Sequence, residues 1–176
     1  MSEQRTSSVP AEPAAGRPRL PKDYGVPTTN AGTLPWRHAV ERLERAKNYW
    51  IGTTRPDGRP HASPVWGVWV DGAFYFDGSP ETRRMRNLAR NPSIVVHLES
   101  GDDVVILEGE AHAAGRPERA LAERVAAAYR AKYENHGYAP APEQWDEGGL
   151  YVMRPHTAFA WTTFPTDMTR WQFTRG

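Results

Sequence analysis

The fold is indicated most directly by residues 49–76, which read YWIGTTRPDGRPHASPVWGVWVDGAFYF. β-branched and aromatic residues are frequent here, and they predict three strands, at residues 49–53, about 59–70 and 73–76. The segment Arg55–Gly58 has the composition of a turn, because proline presets one φ angle and glycine readily adopts a positive one. Asp71-Gly72 is a typical two-residue hairpin turn. The stretch therefore predicts an antiparallel β-meander.

Helices and further strands are predicted on both sides of the meander. The apolar residues of Trp36–Asn48 recur at helical spacing after Pro35, and proline favours the start of a helix. Ser79 is predicted to cap a second helix that ends near Asn91, before Pro92. The remaining predicted elements are a helix at Pro117–Asn135 and strands at Ser93–Glu99, Val104–Ala113, Leu150–Met153, Ala158–Thr163 and Arg170–Thr174. We expect a small α+β barrel of six or more mainly antiparallel strands with two or three peripheral helices.

The first 34 residues differ from the rest of the chain in composition. They contain five prolines and few large apolar side chains. Such a segment buries too little surface to offset the entropy lost on ordering, so residues 1–34 are predicted to form a largely disordered arm. Leu20, Tyr24 and Val26 are available to place part of this arm along the folded domain, which is predicted to span residues 35–176.

Charge and composition argue against several classes of function. The chain has 22 Lys and Arg residues against 21 Asp and Glu residues, and its net charge of +1 gives nucleic acid no strong electrostatic attraction. It contains no cysteine, which excludes disulfides, thiolate metal sites and cysteine nucleophiles. Its six histidines never occur at i, i+4 spacing, and no metal site is predicted. Because no stretch resembles an export signal or a membrane span, we expect no membrane partner and a cytoplasmic location.

The common catalytic signatures are missing from the sequence. It has no G-x-S-x-G elbow, no Walker A loop, no G-x-G-x-x-G and no H-E-x-x-H. No pair of carboxylates close in sequence suggests acid–base chemistry, so no catalytic residue is assigned. If the protein is an enzyme, a bound cofactor is expected to carry the reaction.

The stretch Ser63-Pro64-Val65-Trp66-Gly67-Val68-Trp69 is the first candidate for a cofactor site. Pro64 cannot donate a main-chain hydrogen bond, so it predicts a sheet edge or a bulge. Trp66 and Trp69 face opposite ways in a regular strand, so one can face the core and the other a pocket or a partner. The alternative is that both tryptophans only pack the sheet.

The second candidate is the predicted helix start at Ser79. Ser79 and Thr82 supply hydroxyl groups, and Arg83, Arg84 and Arg86 follow at once. A helix N-terminus with arginine forks is a suitable site for a phosphate. The alternative is a solvated basic helix face.

The order of these features resembles the pyridoxamine 5′-phosphate oxidase-like superfamily, the flavin-binding split β-barrels, over roughly residues 36–174. The resemblance is carried by Tyr49–Thr54, Asp57–His61, Pro64–Trp66, Phe74–Phe76, Thr82–Leu88, Asn91-Pro92 and Glu108-Gly109. The sequence around Trp50 and in Pro64–Trp69 is most similar to the actinobacterial branch that includes users of flavin and of deazaflavin (F420).

This resemblance implies a homodimer with two cofactor sites at the subunit interface. The family binds the cofactor ring along the strand that matches Ser63–Trp66, largely through main-chain groups. It holds the phosphate with a basic pair that matches Arg83 and Arg84, and the second subunit often contributes a late aromatic residue, here Trp161.

The sequence departs from the family pattern at three positions. Arg84 stands where the family usually has lysine, which keeps the charge and changes the geometry. Asp77 stands where serine or threonine is frequent, so it is expected either to repel the phosphate or to accept a hydrogen bond from a ribityl hydroxyl. Val68 stands where true pyridoxamine phosphate oxidases have lysine, so oxidation of pyridoxamine phosphate is not expected.

The resemblance predicts an oxidoreductase that transfers a hydride between bound FMN, or alternatively F420, and a small planar unsaturated or heteroaromatic substrate. FMN and F420 share a tricyclic ring, a ribityl-type chain and a phosphate, so the sequence does not separate them. The alternative is a non-catalytic split barrel that binds a flavin or a haem, with His97 and His112 as the candidate axial ligands. A barrel that stacks single-stranded nucleic acid on its aromatic residues is disfavoured by the near-neutral charge.

The seven tryptophans are expected to serve different purposes. Trp36 and Trp50 are predicted to pack the first helix onto the barrel. The candidates to line a flat-ring pocket or the dimer interface are Trp66, Trp161 and either Trp69 or Trp171. No role is predicted for Trp145, and His61 is the histidine nearest the predicted ring-binding strand.

Overall fold

The computed structural model describes residues 12–174, which form nine strands and three α-helices. The strands are β1 (Ala14–Gly16), β2 (Tyr49–Thr54), β3 (Pro60–Val65), β4 (Gly67–Val70), β5 (Ala73–Asp77), β6 (Ser93–His97), β7 (Val104–Ala113), β8 (Leu150–Trp161) and β9 (Thr169–Gln172). The helices are α1 (Trp36–Arg45), α2 (Arg83–Leu88) and α3 (Arg119–Tyr133). Every strand pairing is antiparallel, which confirms the predicted α+β barrel.

One sheet curls into a barrel around the long strand β8. Its strand order is β1-β9-β8-β7-β6-β2-β3, and the β4–β5 hairpin joins the same sheet through the start of β8. Leu150–Met153 of β8 pair with β5, whereas Thr157–Ala160 pair with β9. Strands β3 and β4 follow each other in sequence without pairing, so the sheet is split between them.

Two apolar clusters lie on opposite sides of the β4–β5 hairpin. The barrel interior contains Ile51, Phe74, Phe76 and Leu107, and α1 closes one end of it with Ala39 and Leu43. A second cluster packs α3 against the outside of the hairpin, with Tyr129, Tyr133 and Trp145 buried there. Burial of this aromatic surface fixes α3 against the barrel.

The tryptophans only partly follow the predictions. Trp36 packs edge-on against Trp69 and Trp171, as expected for a residue that holds α1 on the barrel. Trp69 and Trp171 are both buried in the barrel core, and the edge of Trp69 also borders surface clefts beside α1 and α3. Trp50 does not pack α1: its neighbours Tyr49 and Ile51 point inward, and Trp50 lies on the outer face.

Three predicted element boundaries are wrong. The strand predicted at about 59–70 is broken at Trp66, because the chain leaves the β2 pairing there and enters the β4–β5 hairpin. The helix predicted from Ser79 begins at Arg83, with Thr82 at the cap position and a turn before it. The two late strands predicted at 150–153 and 158–163 are one strand, β8, which continues through Pro155.

The N-terminal arm differs from its predicted disorder over its described part, residues 12–34. β1 pairs with β9, and the guanidinium of Arg17 donates to the main-chain carbonyls of Thr29, Thr166 and Met168. Main-chain hydrogen bonds order this segment, and the prediction of disorder considered only its small number of large apolar residues. Residues 1–11, also predicted to be disordered, lie outside the described part of the chain.

In residues 12–174, no helix has both the length and the apolar character that crossing a membrane would require.

Candidate functional site

Strand β3 has a free edge. Within residues 12–174 it pairs with β2 alone. The Arg55 N–H donates to the Arg59 carbonyl at 2.9 Å, and hydrogen-bonded pairs alternate along an antiparallel ladder. The main-chain groups of Ala62 and Pro64 therefore point away from β2, toward the free edge. The predicted edge position of Pro64 is confirmed, since its missing N–H costs no ladder hydrogen bond there.

The side chains of β3 alternate between two faces. Ser63 is paired with Ile51 and Val65 with Tyr49, so both point to the inner side of the sheet. Val65 is buried in the core and can serve a ligand only by holding the strand in place. The Ser63 hydroxyl is also buried, and it has no hydrogen-bond partner among the described residues. Pro64 is exposed on the outer face.

Three arginines lie around His61, next to Ser63 on the same face. Burial lowers the pKa of the His61 imidazole below its ordinary value, and three nearby positive charges lower this pKa further. These charges belong to Arg55, Arg83 and Arg84. Within residues 12–174 none of the three forms an ion pair with a carboxylate. The cluster therefore concentrates positive charge without an internal counter-ion.

Two guanidinium nitrogens of this cluster have no partner. The Nε atoms of Arg55 and Arg84 are buried, and the part of the chain that the structure describes offers them no hydrogen-bond acceptor. A buried N–H without an acceptor costs about 1–3 kcal/mol, and more when the group is charged. An anion that reached either nitrogen would supply the missing acceptor through a charge-assisted hydrogen bond. We call Arg55, Arg83, Arg84 and Ser63 the arginine cluster.

Helix α2 is fixed beside β2 by one buried polar contact and by apolar packing. Asn87 Nδ2 donates to Thr53 Oγ1 at 3.0 Å, and both side chains are buried. Met85 and Leu88 pack into the barrel core from the same helix. These contacts hold Arg83 and Arg84 near β3. The structure thus brings together the two features that the sequence singled out.

Ser79 is not a helix cap. Its hydroxyl oxygen accepts a hydrogen bond from the Glu81 N–H at 3.2 Å, and its carbonyl accepts one from the Thr82 N–H at 3.1 Å. The segment from Ser79 to Thr82 is therefore a turn that precedes α2, and the exposed Ser79 hydroxyl has a donor hydrogen to offer.

Asp77, at the end of β5, is held by the loop after α3. Its carboxylate accepts a hydrogen bond from the Tyr138 hydroxyl, which in turn accepts one from Gln144 Nε2 at 2.6 Å. Burial raises the pKa of Tyr138, and Asp77 raises it further. Gly78 follows, and a Cβ placed there would lie 3.1 Å from Arg84 Nη2. Asp77 therefore lies close to the arginine cluster, with part of its hydrogen-bonding capacity already used.

Trp66 packs against α3 at the break between β3 and β4. Its ring stacks on Tyr133, with centroids 4.7 Å apart and planes 11° apart. The Gly67 N–H donates to the Tyr133 hydroxyl at 3.0 Å, and Lys132 Nζ donates to the Gly67 carbonyl at 3.3 Å. The sequence prediction missed the role of Tyr133 and Lys132. Their helical register with Tyr129, which places this part of α3 against the barrel, was the available signal.

Trp161 lies far from β3 within one chain. It pairs with Val104 on β7, so β2, β6 and β7 separate it from β3. Four strand spacings of about 4.8 Å put the two strands about 19 Å apart along the sheet. One chain therefore does not bring Trp161 to Ser63–Trp66.

The outer side of the sheet carries a row of apolar side chains between these two ends. Cross-strand pairing places Pro64 opposite Trp50, Trp50 opposite His97, His97 opposite Ile106, and Ile106 opposite Phe159. We define the outer sheet face by its large apolar residues: Trp50, Pro64, Val95, Ile106, Phe159 and Trp161. None of these six side chains is fully buried in the single chain.

The two histidines considered as haem ligands do not meet. His97 lies opposite Ile106, while His112 lies six residues further along β7, opposite Val152. At 3.4 Å per residue this separates them by about 20 Å, so the predicted pair is wrong for a single chain. Residues 12–174 also contain no group of three or more His, Asp or Glu side chains that could hold a metal ion.

Comparisons with known proteins agree with this architecture. The sequence model of a family described as "Pyridoxamine 5′-phosphate oxidase" matches residues 36–162. A heme binding protein from Mycobacterium smegmatis has a similar structure, with TM-score 0.61 and 20% identity over 84% of this chain and 59% of the other. A conserved hypothetical protein of Mycobacterium tuberculosis has TM-score 0.57 and 19% identity, over 83% and 95% of the two chains. An F420 reductase has TM-score 0.50 and 22% identity, over 67% and 93%. No curated protein matches the sequence.

Proposed function

Because the chain belongs to the pyridoxamine 5′-phosphate oxidase family, we propose that it binds FMN, or alternatively F420, and catalyses hydride transfer with it. The substrate class is a small planar unsaturated or heteroaromatic molecule. The bound cofactor supplies the hydride chemistry, and no side chain of the protein is assigned as an acid or a base.

The observation that carries this proposal is the arginine cluster beside a free strand edge. Arg55 and Arg84 each bury a guanidinium N–H without an acceptor, and Ser63 buries a hydroxyl without a partner. A phosphate bound beside them would offer acceptor oxygens to these groups and to Arg83, and the exposed Ser79 hydroxyl before α2 is a further donor. The residues therefore fit the phosphate that FMN and F420 share.

The free edge of β3 suits the polar side of a flat ring. Ala62 offers a main-chain N–H and a carbonyl there, and Pro64 offers a carbonyl. Ser63 and Val65 keep the strand in register with β2, and Trp66 ends it on α3. The part of the Asp77 carboxylate that Tyr138 does not occupy is proposed to accept a hydrogen bond from a ribityl hydroxyl. These groups would orient the ring and shield it from water on the protein side.

A homodimer would complete the site, and the outer sheet face supports this part of the proposal. In a two-fold symmetric contact the same face of both copies packs together, and residue i of one copy meets residue j of the other. If the axis runs parallel to the strands near the middle of the face, the β8 end of one copy lies over the β3 end of its partner. The partner's Trp161 would then cover the cofactor ring, which Trp161 of the same chain cannot reach.

Cofactor titration tests the proposal. The purified chain is titrated with FMN and, separately, with F420, and the change in cofactor fluorescence gives each Kd. Arg84→Ala is expected to weaken binding of the preferred cofactor by 10-fold or more, because it removes charge-assisted hydrogen bonds to the phosphate. Arg86→Ala is the matched control, since Arg86 lies on the same helix but is not among the charges that act on His61.

Each outcome of the titration is informative. Binding of either cofactor with the expected loss in Arg84→Ala supports the proposal and identifies the cofactor. Failure of both to bind the wild-type chain would overturn it. The alternative, a non-catalytic flavin or haem protein, is distinguished by a Soret band on addition of haem, or by a bound flavin whose chemically reduced form is not reoxidised by any substrate of the proposed class.

A further inference from the structure

The described part of the N-terminal arm, residues 12–34, is held against the β8–β9 loop by Arg17. We call these residues the N-terminal strap. Arg17 Nη1 donates to the carbonyls of Thr166 and Met168, both at 2.9 Å, and Nε donates to the Thr29 carbonyl at 2.9 Å. Nη2 donates to the Ala31 carbonyl. One guanidinium thus ties two parts of the strap to one loop of the barrel.

The strap and the loop together present an aromatic corner. The ring of Tyr24 packs edge-on against Phe164 at 6.3 Å, and Phe164 packs edge-on against Trp161 at 6.4 Å. Tyr24 and Phe164 are each 50% exposed, the highest values among the exposed large apolar side chains of residues 12–174. Exposed aromatic surface of this kind is typical of a contact site.

The aromatic corner continues the outer sheet face at its β8 end. Trp161 belongs to both, so the apolar surface runs from the free edge of β3, across the sheet, to Tyr24. A two-fold contact through the outer sheet face, with its axis parallel to the strands as in the proposed homodimer, would carry the corner of one copy to the β3 edge of the other. The occupant of the corner is therefore the cofactor-binding strand of a second copy of this chain.

We propose that Tyr24 and Phe164 of one copy form the wall of the substrate pocket over the partner's β3, and that Arg17 is the positioning residue that holds this wall. The proposal rests on the proposed function, because it assumes the dimer and its cofactor site. It assigns substrate selection by shape to two aromatic side chains, both of which lie outside the residues that match the family. Flat apolar substrates would pack against them.

Cross-linking tests the placement without any need for activity. The chain has no native cysteine, so introduced ones are unique. Ala62→Cys and Phe164→Cys are combined in one chain and treated with a short bismaleimide, and Ala62→Cys with Tyr24→Cys forms a second pair. Within one chain these positions lie on opposite ends of the sheet, so a cross-link between them joins two copies. We expect a covalent dimer for both pairs, seen in a denaturing gel.

The control for cross-linking is Ala62→Cys with Ala120→Cys, an exposed position on α3. The chain could sediment as a dimer and yet cross-link no better through positions 24 and 164 than through position 120. This result would contradict the placement of Tyr24 and Phe164 over the partner's β3 and would leave the proposed cofactor site unaffected. A chain that is monomeric at all accessible concentrations would overturn the dimer, and this inference with it.

Accessibility of the bound ring tests the wall itself. Iodide quenching is measured on the protein loaded with FMN or F420, whichever binds. Tyr24→Ala, Phe164→Ala and Arg17→Ala are each expected to raise the quenching constant at least twofold. Arg19→Ala, an exposed arginine of the same strap, is expected to leave it unchanged. If the quenching constant and the cofactor affinity are unchanged in all of these variants, Tyr24 and Phe164 do not form the wall of the pocket.

Discussion

Lys132 is a partly buried lysine whose pKa is lowered by the fold. Its ammonium donates to the Tyr49 hydroxyl at 2.6 Å, to the Gly67 carbonyl at 3.3 Å and to the Leu43 carbonyl at 3.4 Å. Burial lowers the pKa of Lys132 to about 8, and the charge of Glu44 opposes this effect. The side chain therefore joins α3 to the end of α1 and to the β3–β4 break, at a cost in desolvation.

This lowered pKa predicts a pH-dependent stability. Between pH 7 and 9.5 the unfolded chain, with the ordinary lysine pKa of 10.5, keeps a proton that the folded chain releases above about 8. The free energy of unfolding of the wild type should therefore rise with pH relative to Lys132→Met, by about 2 kcal/mol over this range. Urea unfolding at several pH values measures the difference, with the exposed Lys47→Met as control. A difference that does not change with pH would contradict the prediction.

At the scale of single residues, the edge position of Pro64 was visible in the sequence, because proline lacks the N–H that an inner strand needs. The role of Arg83 and Arg84 in binding a phosphate stays a prediction. Tyr133 was not predicted as a support for Trp66, since its contact joins residues 67 positions apart and no local pattern encodes it. Arg55 was taken for a turn residue, and its buried Nε appears only in the fold.

Among the elements, β7 and β8 meet at a bulge that requires glycine. The register shifts between Glu108 and Gly109. A Cβ at Gly109 would lie 2.2 Å from the Arg154 carbonyl oxygen and 2.9 Å from Pro155 Cα. Both are main-chain atoms of the central strand, so neither can move without disturbing the pairing of β8.

Gly109→Ala is therefore expected to destabilise the protein strongly. We expect a loss of at least about 2 kcal/mol in the free energy of unfolding, because the methyl group would overlap main-chain atoms of β8. Chemical denaturation measures this loss. Gly101→Ala is the matched control, since a Cβ there meets no atom within 4 Å. Equal stability of the two variants would show that the bulge adapts.

Elements were predicted in type and order, but their limits were set by tertiary contacts. The break at Trp66 could not be found from residues 59–70, because every residue on either side suits a strand. Helix α2 begins at Arg83 and not at Ser79, because the Ser79 hydroxyl accepts its hydrogen bond from Glu81, in the turn before the helix. Similarly, the strap is ordered by Arg17, a single residue in a segment of disorder-prone composition.

For the whole molecule, the outer sheet face predicts assembly. Val95 lies on the central part of this face, on β6, and is 38% exposed in the single chain. Val95→Glu should leave the monomer folded and place like charges near each other in a two-fold contact, which costs several kcal/mol. We expect dissociation to a monomer and a parallel loss of cofactor affinity.

Sedimentation velocity at several concentrations, together with cofactor titration, checks this prediction. Ala120→Glu adds the same charge at an exposed site on α3 and is expected to change neither measurement. A dimer that tolerates Val95→Glu would mean that the outer sheet face is not the contact. Undiminished cofactor binding by the monomeric variant would mean that one copy suffices for the site.

The length of β8 also bears on how the chain is made. Residues 150–161 pair with β5, β7 and β9, so none of these pairings can form until the ribosome has synthesised most of the chain. Until then β5 and β7 each lack a neighbour, and unpaired strand edges readily join other chains. We therefore expect the barrel to close only after synthesis is nearly complete, and nascent chains to depend on chaperones that shield these edges.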